Sequence, residues 1–123
     1  MTRRVVVTGV GMTTPLGVLT EDSWQGLVAG KSGIVSVEEW KTLDLNGHKL
    51  SVTIAGRVPG FDPEAWVEHK KDVKRMERFI QLSMAAAHQA WTSSGMPAKL
   101  SDEEGNRAGC IIGVGMGGLG GIL

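Results

Sequence analysis

The chain has 123 residues, 41% apolar and 21% charged, with thirteen basic side chains balancing thirteen acidic ones. This is the size and make-up of one ordinary globular domain, and zero net charge excludes a global field that would gather nucleic acid or an anionic membrane surface. A single cysteine and three scattered histidines exclude an internal disulfide framework and show no zinc-ligand spacing, which fits a reducing compartment such as the cytoplasm and predicts no bound metal.

Arg3-Arg4 precedes an apolar stretch, but Thr8, Gly9, Gly11, Thr13, Thr14 and Pro15 interrupt it and no small-residue cleavage site follows, so it does not form a signal peptide. No apolar run approaches the roughly 20 residues that span a bilayer. Val5 to Val7 read as a strand covered on both faces, ended by Gly9 and Gly11. Thr13 to Gly17 reads as a loop because Pro15 biases Thr14 toward extended geometry. A helix follows with Thr20 as N-cap, Glu21 and Asp22 in its first turn, Leu19 stapled onto Trp24, and Trp24, Leu27 and Val28 sharing one face. Gly30 supplies its left-handed stop. Residues 31 to 49 read as irregular and polar. Leu50, Val52 and Ile54 then alternate with Ser51 and Thr53 as in a half-buried strand, closed by Gly56 and the Pro59-Gly60 turn. Asp62 followed by Pro63 predicts a short helix from Pro63 to about Val67.

The clearest periodicity predicts one long helix from Asp72 to Ser94. Val73, Met76, Ile80, Met84, Ala87 and Trp91 form one stripe, with Lys71, Lys74, Arg75 and Arg78 opposite. Beyond Phe79 the helix is apolar nearly all round, which calls for cover by a further layer or a second subunit. Gly95 and Pro97 end it, a charged loop follows, and Ala108 to Val114 read as a last strand running into a glycine turn. Cys110 falls inside that strand as an inert core cysteine. His48, in an Asn46-Gly47-His48 turn, and His69, at a charged helix end, read as solvated; His88 reads as the buried histidine. Strands ending in tight glycine turns, interleaved with helices, place the chain in the α/β class.

Gly113, Gly115 and Gly118 match G-x-G-x-x-G, which keeps a small nucleotide-binding domain as an alternative. Against it, the acidic residue that motif needs about 20 positions later would fall beyond Leu123, and Gly9-Val10-Gly11 leads into a proline loop, not a helix N-terminus. The plain structural alternative is that these glycines permit close packing of strand and loop.

The segments Arg3 to Met12, Pro15-Leu16-Gly17, Trp24 to Ile34, Ala55-Gly56-Arg57-Val58, Lys74 to Gln81 and Gly113 to Gly120 together resemble, collinearly, the opening of the β-ketoacyl-[acyl-carrier-protein] synthases. Met116 between glycines is more similar to the elongating synthase II branch. The resemblance implies a thiolase-like fold of two similar α/β halves, a homodimer, and decarboxylative Claisen condensation of malonyl carrier protein with an acyl thioester in fatty acid biosynthesis. A cysteine thiolate takes the acyl group and two histidines promote decarboxylation, without metal or redox cofactor. This chain would then be the N-terminal third, an incomplete part of the first half. The family's nucleophile and both histidines would fall beyond Leu123, and no catalytic role passes to Cys110. Carried over residue by residue, Lys70, Lys71, Lys74 and Arg75 would meet the acidic acyl carrier protein, while Gly115, Met116 and Gly117 would border the acyl chain. A non-catalytic chain-length-factor-like or polyketide synthase subunit is the alternative within the same resemblance.

Overall fold

The computed structural model describes residues 2–45, 47–115, 117 and 118. They fall into two compact units: one runs from Met12 to Phe61, and the other combines the residues up to Gly11 with those from Asp62 onward.

The Met12–Phe61 unit begins with a tight turn. Thr14 and Gly17 exchange both backbone hydrogen bonds, at 2.9 and 3.1 Å, around Pro15 and Leu16. The proline ring lies against Gly33 and Gly56. A Cβ on Gly33 would sit 2.6 Å from Pro15 Cβ, and one on Gly56 would sit 2.8 Å from Pro15 Cγ, so close approach demands glycine at both positions.

Helix α1, Thr20–Val28, has Leu19 rather than Thr20 as its N-cap, with no side-chain cap. The Thr20 hydroxyl accepts the Met12 N–H at 3.0 Å instead. The helix stops as expected. Gly30 has φ 65°, and Lys31 and Gly30 donate to the carbonyls of Gly26 and Leu27, both at 3.0 Å, which completes a Schellman motif. The buried face is not the expected one: Trp24, Leu27 and Val28 are 52, 62 and 65% exposed, while Ser23 and Gly26 are buried. The cause is the preceding turn, which presses on small residues. Leu16 lies over Gly26, and the Ser23 hydroxyl meets Thr14 Oγ1 at 2.8 Å and donates to the Gly17 carbonyl at 3.2 Å.

Residues 31 to 49 are not irregular. They carry β1 (Ile34–Ser36), α2 (Glu38–Lys41), β2 (Asp44–Leu45) and β3 (His48–Lys49), and β4 follows at Ile54–Gly56. β2 and β3 pair antiparallel, Asp44 opposite Lys49 and Leu45 opposite His48, and Gly47 before β3 has φ 87°. β1 pairs antiparallel with β4, Ile34 opposite Gly56 and Ser36 opposite Ile54. Val37, 1% exposed, extends this ladder by donating to the Thr53 carbonyl at 2.8 Å. The strand predicted over residues 50 to 54 is therefore displaced toward the C-terminus, because its partner lies opposite residues 53 to 56. Glu38 and Glu39 are both held below the usual carboxylate range, the first by Lys41 and then Ser36, the second by its own backbone amide and then Arg57.

In the other unit, Asp62 caps a 3₁₀ turn at Pro63–Ala65, Oδ1 accepting the Glu64 N–H at 3.0 Å. The helix expected over residues 72 to 94 is two helices: α3, Lys70–Val73, and α4, Arg78–Ser93. Glu77 takes an extended ψ of 152° and starts α4 afresh. At the far end Gly95 has φ 72° and donates to Thr92, while the Ser94 hydroxyl donates to Trp91 O at 2.6 Å and accepts the Met96 N–H at 3.3 Å. A serine thus completes the stop that a backbone bond completes in α1. The predicted charged loop contains α5, Asp102–Gly105, opened by a capping box: Ser101 Oγ accepts the Glu104 N–H and Glu104 Oε2 accepts the Ser101 N–H.

Ala85 and Val67 are the buried apolar residues here, at 0 and 8% exposure. The segment Gly9-Val10-Gly11 lies directly on α4. A Cβ on Gly9 would collide with the Ala90 carbonyl oxygen and one on Gly11 with that of Ala86. Between them, the Ser93 hydroxyl accepts the Val10 N–H at 3.0 Å and donates to the Val10 carbonyl at 3.1 Å.

Among the described residues no strand forms at residues 5 to 7 or 108 to 114. Val5, Val7 and Ile111 are 94, 83 and 99% exposed. β-branched residues favour extended backbone, but a ladder needs a neighbouring strand and no described residue supplies one. Cys110 is consequently exposed, not a core residue. His88 is exposed too, one turn along α4 from the buried Ala85, its ring edge-on to Trp66 with centroids 5.6 Å apart.

Candidate functional site

Two groups of candidate residues flank the start of α4. The first is the basic turn. Lys70 and Lys71 open α3, and Lys74 and Arg75 lie in the turn between α3 and α4. All four are exposed. Lys70 is engaged, its Nζ 3.1 Å from a Glu64 carboxylate oxygen. Lys71, Lys74 and Arg75 make no ion pair among the described residues.

Interrupting the helix is what sets this geometry. The Arg75 and Met76 amides close back on Asp72 and Val73 at 2.9 and 3.2 Å, the spacing of a tight 3₁₀-type turn. Gln81, one turn into α4, reaches back with Nε2 and donates to Met76 O at 3.0 Å and Val73 O at 3.2 Å. The Val73 carbonyl already accepts the Met76 amide and gains Gln81 as a second donor, while the Met76 carbonyl lies in the turn, where no helical amide serves it. Residue pattern alone did not reveal this role, since Gln81 sits within an unbroken run of helix-forming residues. The only available signal was a lone amide beside Phe79, Ile80 and Leu82.

The second group is the glycine-rich segment. Gly117 packs on Phe79 from the first turn of α4; an added Cβ would lie 2.9 Å from its Cδ1 and 2.7 Å from Val114 Cγ1. Gly118 has φ 76°. Gly115 has no atom within 4 Å of such a Cβ, so close packing demands glycine at 117 and not at 115. Met116 lies outside the described residues. The contact brings in Phe79, which the residue pattern did not single out as a site residue.

Among the described residues no three His, Cys, Asp or Glu side chains gather as a metal site would require, and no helix is long and apolar enough to cross a membrane. A family model described as the N-terminal domain of β-ketoacyl synthase matches residues 2–122. The chain belongs to the β-ketoacyl synthase family. Among its relatives is a protein named 3-oxoacyl-[acyl-carrier-protein] synthase 2 from Vibrio cholerae, 45% identical over 117 residues, covering 95% of this chain and 26% of the relative. Proteins of the same name from Coxiella burnetii and Rhizobium meliloti are each 38% identical, over 117 and 128 residues, covering 95 and 98% of this chain and 26 and 29% of the relatives. The chain therefore spans about a quarter of the length of the curated relatives it matches, less than the third that the resemblance implied. Both candidate groups fall inside the region matched to the synthase family.

Proposed function

We propose that residues 1 to 123 serve as the N-terminal part of a β-ketoacyl synthase N-terminal domain, in a cytoplasmic, homodimeric 3-oxoacyl-[acyl-carrier-protein] synthase of thiolase-like fold. The whole enzyme elongates acyl chains in fatty acid biosynthesis by decarboxylative condensation of malonyl carrier protein with an acyl thioester. The single observation that carries this proposal is the family match across residues 2–122. The relatives that share the match bear the name of that enzyme.

The segment's own residues take binding roles, and no bond-making step is assigned to them. Lys70, Lys71, Lys74 and Arg75 receive the acidic carrier protein. Three of these cations are exposed and have no ion pair among the described residues, so an incoming acidic surface need not displace an internal partner. Gly115, Met116 and Gly117 border the acyl chain, for which an unbranched thioether is suited because it yields as chain length varies. In the full-length enzyme, Lys71→Glu combined with Arg75→Glu raises the KM for carrier-bound substrate by about tenfold and flattens its dependence on salt. An unchanged KM overturns the docking role.

A further inference from the structure

We infer that Gln81 is a positioning residue for carrier-protein docking, an inference that rests on the basic turn being the docking site. Gln81 touches no partner itself. Its amide nitrogen is the side-chain donor that joins the body of α4 to the carbonyls of Val73 and Met76, on either side of Lys74 and Arg75. Four good helix formers, Lys74, Arg75, Met76 and Glu77, occupy a stretch that local preference would wind into one continuous helix. Continuous winding would string Lys71, Lys74 and Arg75 in one row with Arg78 along a single helix. The 3₁₀-type turn keeps them exposed beside the start of α4.

This bridge resists conversion to helix in a specific way. In a continuous helix the Val73 carbonyl would accept from the Glu77 amide and the Met76 carbonyl from the Ile80 amide. In the broken form Met76 donates to Val73 O at 3.2 Å and Ile80 to Glu77 O at 3.0 Å instead, so Gln81 serves the Met76 carbonyl so released and adds a second donor to that of Val73. Removing the donor tilts the balance toward the continuous helix, or toward a mixture of the two. The apparent affinity for a carrier then falls in proportion to the fraction of molecules holding the turn.

The test uses the full-length enzyme carrying Gln81→Met, which keeps the length of the side chain, lacks the donor and adds no charge. KM for carrier-bound acyl substrate should rise, by at most about fivefold, the ceiling set by losing one hydrogen bond of ordinary strength. kcat, and the kinetics with the same acyl group on a small carrier-free thiol, should stay at the wild-type values. An unchanged carrier KM, or an equal loss with both substrates, overturns the proposal, since the second result marks a purely structural role. Lys71→Glu/Arg75→Glu is measured alongside. If charge reversal raises KM and Gln81→Met does not, the positioning role alone fails; if neither raises it, the docking site itself is wrong. Should Gln81→Met be insoluble, Gln81→Leu, which likewise lacks the donor and adds no charge, takes the same pair of measurements.

Discussion

Gly11→Ala puts the packing of the N-terminal segment on α4 to a direct test. The added methyl group would collide with the Ala86 carbonyl oxygen and lie 2.6 Å from the Ala90 nitrogen and 2.9 Å from the Ala86 carbonyl carbon. All three atoms are helix backbone, so no rotamer change relieves the overlap. Restoring the 3.4 Å of an ordinary contact needs a retreat of roughly 0.8 Å at Ala90 and more at Ala86. A gap of that size forfeits a quarter to a half of each neighbouring van der Waals contact, and it stretches both bonds between Ser93 and Val10 beyond hydrogen-bonding range. Two lost hydrogen bonds at about 1 kcal/mol each, with the packing loss added, give a destabilisation of about 3 kcal/mol. Urea unfolding of the full-length enzyme measures it, with Gly109→Ala as the control. Gly109 has nothing within 4 Å of a new Cβ and no positive φ, so its substitution should stay within about 0.5 kcal/mol of wild type. Equal midpoints for the two variants would refute the packing argument.

Three further outcomes are expected. Ser23→Ala removes a buried hydroxyl that bonds Thr14 and Gly17, and should cost about 1 kcal/mol by denaturant titration; an unaltered midpoint would mean that the tight turn closes without it. Glu64→Gln releases Lys70 from its exposed ion pair, so stability should change by less than about 0.5 kcal/mol while carrier KM falls about twofold; a rise in KM would contradict a docking role for Lys70. The Glu104 carboxyl is held below its ordinary range by the Ser101 backbone N–H first and the Ser101 hydroxyl second. A depressed folded-state value means that the cap's contribution is present above the unfolded value and is lost as pH falls through the folded one. Amide protection across α5, measured against the intrinsic exchange rate at each pH, should therefore hold through the ordinary carboxylate range and drop only below it. A drop at or above the ordinary value would show that the capping box does not hold in solution.

Signals contained within a few neighbouring residues were legible before the fold was known. Gly30 and Gly95 mark helix ends because left-handed backbone is a property of the residue itself, and Asp62-Pro63 opens a turn for the same local reason. The capping box at Ser101 and Glu104 was equally local, yet the density of charge around it disguised it as loop. Features decided by a distant partner were illegible. Helical periodicity runs unbroken through Lys74 to Glu77, yet the extended backbone at Glu77 separates α3 from α4, with Gln81 folded back across the break. Trp24, Leu27 and Val28 form an apolar stripe, but the turn at Pro15 and Leu16 selects Ser23 and Gly26 because a bulky side chain would not fit beneath it. Of the candidate site, the four cations were visible as a charge run. Neither the pairing of Lys70 with Glu64 nor the Phe79 contact of Gly117 leaves a trace in spacing.

Gly9 and Gly11, two positions apart, meet Ala90 and Ala86, which are four apart. Extended chain advances about 6.6 Å in two steps and a helix about 6 Å in four. The two pitches are thus nearly commensurate, and the segment works as a vernier against α4. Displacing it by a single notch would drive the isopropyl group of Val10 onto a carbonyl that tolerates only hydrogen. An inserted or deleted residue must therefore be absorbed upstream of Gly9 or downstream of Gly11, with the three residues between them holding their place.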